Sequence, residues 1–533
     1  MKPFADLLER LVFTPSRTGK LRHLERYFAD VPDPDRGWAL AALTDGFAKK
    51  VATPSVIRGL IEDRADPVLF RLSYDYVGDL AETVSLMWPA PEAAPRANAP
   101  LRLSDVIERL MEARKKDVPG LLAAWLDRLE PGERFALLKL LMGGLRVGIS
   151  ARLAKTALAR YGGVELDRIE EIWFGLEPPY ETLFQWLDGN GEMPAVDDRL
   201  MFRPMMLANP LAEAELDALD PADFAAEWKW DGIRVQLAAH DGEARLYSRT
   251  GDEIGGSFPE IALAADFDAV LDGELLVVTD GEVRPFNDLQ QRLGRKTVSR
   301  KMLADYPAHL RAYDMLFDAG EDLRALPLEE RRRRLATFVA AQNKSWLDLS
   351  PEVPFDAWAD LHAHRSDARD AGIEGLMLKR RDSAYLAGRP KGPWFKWKRD
   401  PLTADCVLMY AQRGHGKRSS FYSDYTFGVW RGEEAVPVGK AYFGFTDEEL
   451  KQLDKWVRDH TVDRFGPVRA VAFKLVLEVA FDSIHASTRH KSGLAMRFPR
   501  VARIRWDKPA AEADRLETLE ALVERAAQDV VTG

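Results

Sequence analysis

The sequence predicts a multidomain protein with an all-α N-terminal domain, a central α+β domain with antiparallel sheets, and a small C-terminal β-barrel. At 533 residues, the chain is longer than a single domain with one hydrophobic core ordinarily is. Apolar residues recur at helical spacing up to about residue 200 and at a period of two beyond it. Hydrophobic residues make up 46% of the chain and charged residues 30%, which is typical of globular domains. We expect domains at 1–200, 201–401 and 402–533.

Helical spacing is clearest in the N-terminal segments FADLLERLV, DVIERLMEARKK, LLAAWLDRL and RFALLKLLMGGL. The first of these carries Asp6, Glu9 and Arg10 within its apolar pattern, so it predicts an amphipathic helix rather than a signal peptide. We expect no membrane span, because no run approaches 18 apolar residues. The single cysteine, Cys406, cannot form an internal disulfide and fits a reducing cytoplasm.

Short strands follow, bounded by glycine and aspartate: WDGIRVQLAAH, EARLYSR, AVLDGELLVV, LRAYDMLF and EGLMLKR. A helix, LPLEERRRRLATFVAA, interrupts them, and its four arginines (331–334) predict an exposed face, with a DNA or interdomain contact as the alternative. The third block repeats the strand pattern in ADCVLMYAQ, YTFGVWRG, AVPVGKAYFGF and FKLVLEVAFDSI, with one helix after Thr446, and suits a small barrel. Leu516, Leu519 and Val523 predict a final helix.

The segment EWKWDGIR (227–234) alternates charged residues with tryptophans, which places Glu227 and Lys229 on one strand face. A lysine amine is a nucleophile only when it is neutral, so neighbouring cations or burial must favour loss of its proton. The sequence offers such cations in four residues: Arg249, Lys379, Lys396 and Lys398.

The sequence also offers three candidate carboxylates. Asp272 and Glu274 of LDGEL share a strand face, and Glu374 stands beside Gly375 at the head of another strand. Carboxylates that a sheet brings together can hold Mg²⁺ through oxygen ligands, which suits a phosphate-bearing substrate.

Seven segments, in order and spacing, resemble the nucleotidyltransferase motifs of ATP-dependent DNA ligases: KWDGIR, SRTG, LDGEL, AYDMLF, EGLMLK, WFKWK and RFPRVARIRWDK. The resemblance covers about 220 to 508. The segment LLMGGLRVGISARLAKTALAR is similar to the N-terminal DNA-binding domain of that family. The whole chain looks most like bacterial ligases that combine a DNA-binding domain, a nucleotidyltransferase domain and an OB-fold.

The resemblance implies that Lys229 attacks the α-phosphate of ATP, expels pyrophosphate and carries AMP as a covalent lysyl-AMP. AMP then passes to the 5′-phosphate of a nick, and the 3′-hydroxyl finally displaces it. The implied cofactors are ATP and Mg²⁺, with Mn²⁺ as an alternative metal ion. The implied partner is nicked duplex DNA, bound by a monomer in the bacterial cytosol during DNA repair or replication.

The same resemblance implies individual roles. Glu227 contacts the adenine edge, Arg234 and Arg249 contact ribose or phosphates, and Tyr313 and Met377 cover the two faces of the base. Glu274 and Glu374 hold metal. The remaining nucleotide contacts come from lysines: Lys379, Lys396 and Lys398, the last two on the α-phosphate, and Lys508, which moves over the pyrophosphate.

Two positions depart from the family pattern. Tyr313 stands where phenylalanine is usual, which keeps the stacking surface and adds a hydroxyl. Pro390 stands where an arginine is usual, and either Arg389 or Lys391 can take that role.

For DNA contact we consider Arg146, Arg152 and Lys155, against the alternative of a solvated helix face. The runner-up functions are an RNA ligase or an RNA-capping guanylyltransferase, since both resemble this core. A non-catalytic DNA-end-binding scaffold is a further alternative. The long helical N-terminal domain and RFPRVARIRWDK favour DNA ligase.

Overall fold

The computed structural model describes residues 1–44, 46–47, 52–90, 100–143, 145, 147–196, 199–295, 297–367, 373–413, 422–442, 444–466, 468–487 and 490–528. The chain forms two compact units. The first comprises Met1–Val196, Leu408–Thr426 and Lys440–Lys474, and the second comprises Asp197–Val407, Phe427–Gly439 and Leu475–Gly533.

The N-terminal part of the first unit is helical, as the apolar spacing predicts. Its helices are α1 (Lys2–Phe13), α2 (Arg17–Asp30), α3 (Asp35–Leu43), α4 (Pro54–Glu62), α5 (Pro67–Val77), α6 (Leu80–Met87), α7 (Leu103–Glu112), α8 (Val118–Arg128), α9 (Pro131–Met142), α10 (Ala151–Gly162), α11 (Leu166–Ile172) and α12 (Glu181–Leu187). Their leucine-rich faces pack into one continuous core.

Two serine caps set where helices of the first unit begin. The Ser16 hydroxyl accepts a hydrogen bond from the Gly19 amide at the start of α2, at 3.1 Å. The Ser150 hydroxyl accepts one from the Leu153 amide at the start of α10, at 3.2 Å. Each cap satisfies an amide that has no partner within its helix.

The second unit alternates strands with short helices up to residue 398. These are β1 (Asn209–Pro210), α13 (Glu213–Leu216), β2 (Phe224–Trp230), β3 (Ile233–His240), β4 (Glu243–Ser248), α14 (Pro259–Ala262), β5 (Ala269–Thr279), β6 (Glu282–Val283), α15 (Phe286–Gln290), α16 (Arg300–Asp305), β7 (Ala308–Asp318), β8 (Glu321–Asp322), α17 (Leu328–Gln342), β9 (Leu347–Leu349), α18 (Trp358–Asp367), β10 (Ile373–Arg380) and β11 (Trp394–Lys398).

Two sheets form from these strands. One has the order β1-β11-β10-β2, and the other has the order β4-β3-β5-β7-β8, with β6 and β9 paired at its margins. Most pairs are antiparallel, as predicted; β1 with β11 and β7 with β9 are parallel. The apolar face of the first sheet includes Ala226, Leu376, Leu378, Phe395 and Trp397.

The chain ends in β12 (Leu402–Arg413), β13 (Tyr422–Arg431), β14 (Glu434–Ala441), α19 (Asp447–Asp459), β15 (Thr461–Phe465), β16 (Val468–Val471), β17 (Val476–Phe481), β18 (Ser483–Ala486), β19 (Leu494–Arg497), β20 (Arg500–Arg505) and α20 (Leu516–Gln528). The strands β18 and β19 pair with each other as a separate two-stranded sheet, and the other strands form a half-barrel sheet. Within the second unit, β17 pairs with the first half of β12 and with β20. Within the first unit, β16 pairs with the second half of β12 and with β15.

The predicted helix after Thr446 is confirmed as α19, because the Thr446 hydroxyl and the Glu449 carboxylate accept hydrogen bonds from each other's amides. Cys406 is buried in β12. Among the residues that the structure describes, no helix combines the length and the apolar character that crossing a lipid bilayer requires.

The arginine run at 331–334 differs from the exposed face that its charge predicts. Arg331 and Arg332 are buried, with Leu328 and Leu335, on the inner face of α17. Arg333 and Arg334 pair with Glu330 on the outer face. Leu328 and Leu335 stand seven residues apart, so positions 331 and 332 complete the same helical stripe.

Candidate active site

A tight turn between β2 and β3 brings Lys229 toward β5. Gly232 lies in this turn, and a Cβ there would stand 2.5 Å from the Leu275 carbonyl oxygen of β5 and 2.8 Å from Glu274 Cγ. Any larger residue would therefore push β5 away. The sequence Lys-Trp-Asp-Gly (229–232) therefore places Lys229, near the end of β2, close to Glu274 on the neighbouring sheet.

Two rows of side chains cross one face of the sheet that contains β2, β10 and β11. Cross-strand pairing aligns Glu227 with Met377 and Lys396. The next row aligns Lys229 with Gly375 and Lys398. The alternation in EWKWDGIR produces this arrangement, because Trp228 faces the opposite way and packs against the apolar cluster.

Gly375 occupies a position in the second row that only glycine fits. Its φ of +144° is rarely adopted by residues with side chains, and a Cβ would lie 2.8 Å from Lys398 Cα. The absence of a side chain lets β10 lie close to the backbone of β11.

Glu374 is the anion that these two lysines share. Lys229 Nζ donates a short hydrogen bond to Glu374 Oε2, and Lys398 Nζ lies 3.5 Å from the same oxygen. Burial disfavours the Glu374 carboxylate, but the charges of Lys229 and Lys398 outweigh it and lower the pKa of Glu374 to about 2. Lys398 Nζ also donates to Asp482 Oδ2 at 3.0 Å.

Glu274, the second candidate carboxylate, has the opposite electrostatic balance. Burial, together with the charges of Glu374 and Asp272, raises the pKa of Glu274 to about 8, although Lys229 and Arg234 oppose the shift. The two glutamates near Lys229 therefore differ in how readily each carries a negative charge.

Lys396 lies among other cations. Burial lowers the pKa of Lys396, and the charges of Arg389, Lys398, Lys229 and Arg249 lower it further. Arg389, one of the two candidates for the role of the arginine expected at position 390, contributes to this field.

The first row contains a buried ion-pair network around Glu227. Lys379 Nζ and Arg332 Nη1 each donate to Glu227 Oε1 at 2.9 Å. Lys379 Nζ also lies 4.3 Å from the Tyr313 ring centroid and 4.7 Å from that of Trp394. The predicted adenine-edge and adenine-face residues are thus joined through Lys379.

Arg234 is held on the adjacent sheet. Its guanidinium donates to both oxygens of the buried Asp272, at 3.0 and 2.6 Å, and to the Met206 carbonyl at 2.7 Å. The Tyr385 hydroxyl donates to Asp272 Oδ2 at 2.6 Å. The structure therefore gives Arg234 an internal partner, whereas Arg249 is exposed.

The last predicted nucleotide ligand, Lys508, donates to Asp405 Oδ2 at 2.7 Å. That hydrogen bond raises the pKa of Lys508. Arg497, in the same motif, donates to Asp231, two residues after Lys229. One arginine of this motif therefore reaches the Lys229 turn, while Lys508 is bound to β12.

In the first unit, a cavity of 540 Å³ is lined by residues that include Arg17, Lys20 and Arg152, beside the starts of α2 and α10. Arg152 is 48% exposed and donates to Glu170. Lys155 is only 9% exposed, and its ammonium lies 3.7 Å from Glu170 and 5.2 Å from the Trp173 ring centroid. Arg146 lies outside the described residues.

Sequence reasoning missed Arg332 as part of the site. A signal for it exists, because Leu328 and Leu335 define a buried stripe that includes position 332. The ion pairs themselves join Glu227 to residues 105 and 152 positions further along the chain, and no local pattern reveals them.

Comparisons with known proteins bear on the family of this chain. Residues 205–398 match the family model for the ATP dependent DNA ligase domain, and residues 418–508 match that for the ATP dependent DNA ligase C terminal region. A probable DNA ligase of Koribacter versatilis (strain Ellin345) is 37% identical over 427 residues, which cover 75% of this chain and 73% of the relative. A DNA ligase of Thermococcus fumicolans is 28% identical over 556 residues, 97% of each chain.

A solved structure named Pmar-Lig_PreS3 shares the fold, with a TM-score of 0.60 at 16% identity over 94% of this chain and 99% of that one. The chain belongs to the ATP-dependent DNA ligase family. It is an enzyme of the nucleotidyltransferase superfamily, and nick sealing through an adenylate is the activity of that family. The RNA ligase, capping and scaffold alternatives find no support in these relatives.

Proposed function

We propose that Lys229 is the nucleophile of nick sealing in this chain. Its Nζ attacks the α-phosphorus of ATP, a P–N bond forms, the bond to pyrophosphate breaks, and the amine loses one proton. AMP then moves from Lys229 to the 5′-phosphate of the nick. The 3′-hydroxyl attacks that phosphate, and AMP leaves as the phosphodiester forms.

One observation carries the proposal: Lys229 Nζ is hydrogen-bonded to Glu374, in a row that also contains Lys398. The carboxylate fixes the amine at the strand end. Lys396 and Lys398 would neutralise charge that builds on the α-phosphate. Phosphoryl transfer depends mainly on such positioning and charge stabilisation.

The row that contains Glu227 would bind the base. Glu227 would accept a hydrogen bond from the adenine amine, and Tyr313 and Met377 would cover the base. Lys379 supports this surface by contacting both Glu227 and Tyr313. Arg234 and Arg249 would contact the ribose or phosphates, with Asp272 orienting Arg234. Lys508 would leave Asp405 to meet the pyrophosphate.

Glu274 and Glu374 fit Mg²⁺ by the chemistry of their oxygen donors. Mg²⁺ is commonly bound by one or two carboxylates together with substrate phosphates. Burial and neighbouring carboxylates disfavour the charge of Glu274, so a cation would stabilise it. When bound, Mg²⁺ supplies charge neutralisation on phosphate oxygens, and Mn²⁺ suits the same ligands.

The helical domain, 1–200, would bind nicked duplex DNA through the cavity that Arg152 lines. Exposed cations beside two helix starts suit backbone phosphates, which give affinity without sequence specificity. Arg146 and Lys155 belong to the same proposal, and the burial of Lys155 favours a role in holding Glu170. The domain at 201–401 would carry out the nucleotide chemistry, and residues 402–533 would form an OB-fold. We place the monomeric enzyme in the bacterial cytosol.

The experiment that tests the proposal is transfer of label from α-phosphate-labelled ATP onto the purified protein with Mg²⁺, followed on a denaturing gel. Wild type should acquire label, and Lys229→Ala should not. Lys301→Ala, an exposed lysine on α16, is the matched control and should label normally. Label on Lys229→Ala at the wild-type level would refute the proposal.

A further inference from the structure

Arg332, on the inner face of α17, has three separate hydrogen bonds to its guanidinium. Nη1 donates to Glu227 Oε1 at 2.9 Å, Nε to Glu352 Oε1 at 2.7 Å, and Nη2 to the Ser350 carbonyl at 2.5 Å. The side chain is only 9% exposed. A guanidinium bonded in three directions has one orientation, so it fixes whatever it touches.

Arg332 and Lys379 contact the same oxygen of Glu227. Both donate to Oε1, and among the described residues none donates to Oε2. A carboxylate held through one oxygen cannot rotate to present its other oxygen elsewhere. The two cations therefore determine where the second oxygen, Oε2, stands.

The same arginine also fixes the chain beside the base-stacking residue. The Ser350 amide donates to the Ala312 carbonyl at 2.8 Å, next to Tyr313. The Val353 amide donates to the Ala226 carbonyl at 2.8 Å, next to Glu227. By holding the segment from 350 to 353, Arg332 links β2, which carries Glu227, to β7, which carries Tyr313.

We infer that Arg332 is a positioning residue that sets base selectivity, by holding Glu227 so that its second oxygen accepts a hydrogen bond from the exocyclic amine of adenine. The inference rests on the proposed role of Glu227. Guanine presents an oxygen at the corresponding position, and a purine without the amine presents no donor. A fixed acceptor distinguishes these bases, whereas one that rotates does so poorly.

Equilibrium binding in the Lys229→Ala background isolates this step from the chemistry. The probes are ATP and purine riboside triphosphate, which lacks the exocyclic amine. Arg332→Gln should reduce the preference for ATP by about tenfold or more, because a charge-assisted hydrogen bond loses its alignment. Arg332→Lys should restore part of it. Arg333→Gln, an exposed neighbour on the same helix, should leave the preference unchanged.

Coupling to Glu227 separates positioning from a general effect on stability. Glu227→Gln should lower the preference to the same extent, and adding Arg332→Gln should lower it no further. Losses that add independently, or an unchanged preference in Arg332→Gln, would overturn the inference. If Arg332→Gln does not fold, Glu352→Gln replaces it: a two- to threefold loss of preference is expected, and no loss counts against the inference.

These outcomes are distinct from failure of the nucleophile proposal. Label transfer reports whether Lys229 accepts AMP, while the binding preference is measured where Lys229 is absent. A protein that binds ATP selectively through Glu227 and Arg332, yet accepts no label, would support this inference and refute the nucleophile.

Discussion

The proposed nucleotide pocket of the second unit and the basic cavity of the first unit both contain several cations, but the two regions hold them differently. In the pocket, Lys229, Lys379 and Arg332 each donate to a carboxylate. At the cavity, Lys20 donates to the carbonyls of Val147 and Gly148, and the half-exposed Arg152 reaches Glu170.

The difference follows from what each region binds in the proposal. Phosphoryl transfer needs reacting atoms at fixed positions, and opposed charges provide that fixation. Binding along a DNA backbone needs positive charge near the surface, where releasing counterions provides the affinity. Changes in the pocket should therefore alter individual chemical steps, and changes at the cavity should alter affinity and its dependence on salt.

The largest effect is expected from Lys229→Ala, and it should be confined to one step. Loss of the nucleophile should reduce self-adenylation by more than about 10³-fold. Sealing of a nick that already carries AMP should continue, because that step needs no lysine nucleophile. Gel assays on adenylated and unadenylated nicks check this. Equal loss on both substrates would mean that the pocket, and not one amine, has been damaged.

Lys398→Ala should be next, with the rate of lysine adenylation lowered by about 10²-fold, the usual effect of removing a group that stabilises transition-state charge. Lys398 lies between Glu374 and Asp482, so its removal also leaves two carboxylates without that partner. Single-turnover rates measure the change, with Lys301→Ala for comparison. A rate within twofold of wild type would exclude Lys398 from the α-phosphate.

At the cavity, Arg152→Gln should weaken binding of nicked duplex several-fold and reduce the slope of log affinity against log salt by about 0.9, the value for one phosphate contact. Titrations of labelled duplex at several salt concentrations measure both quantities. Lys116→Gln, an exposed change in the same unit, serves as the control. An unchanged slope would show that Arg152 faces no phosphate.

The smallest effect on DNA is expected for Lys155→Met, within about twofold, because the side chain is buried beside Glu170. Its signature is pH-dependent stability instead. Burial lowers the pKa of Lys155 below its ordinary 10.5. At a pH between the lowered pKa of the folded chain and the ordinary pKa of the unfolded chain, the unfolded chain holds a proton that the folded chain has lost. Wild-type stability should therefore rise with pH in that window relative to Lys155→Met, which urea denaturation measures. A stability difference between the two proteins that does not change with pH would contradict the lowered pKa of Lys155.

Local patterns predicted much of this arrangement. Alternation in residues 227–230 places Glu227 and Lys229 on one face, since strand geometry alone requires it. The helices of the first unit and α19 follow from apolar spacing and a capping box. Arg332 was not predicted, because four consecutive arginines suggest a solvated face unless the leucines on either side are given more weight than charge.

Other features depend on contacts between distant segments. The partner of Arg234 is Asp272, 38 residues later, and only the pairing of β3 with β5 brings them together. The burial of Lys155 likewise depends on Glu170 and Trp173 packing over it. Such contacts select which of several lysines and arginines are exposed, and composition does not contain that information.

Peptide mass mapping of the AMP adduct is the most direct measurement of the proposed chemistry. Wild-type protein would be incubated with ATP and Mg²⁺, digested, and fragmented to locate the added mass. We expect AMP on the peptide that contains Lys229, attached to that side chain. AMP on Lys396 or Lys398, or recovery of only unmodified Lys229 peptide from protein that has turned over ATP, would contradict the assignment of the nucleophile.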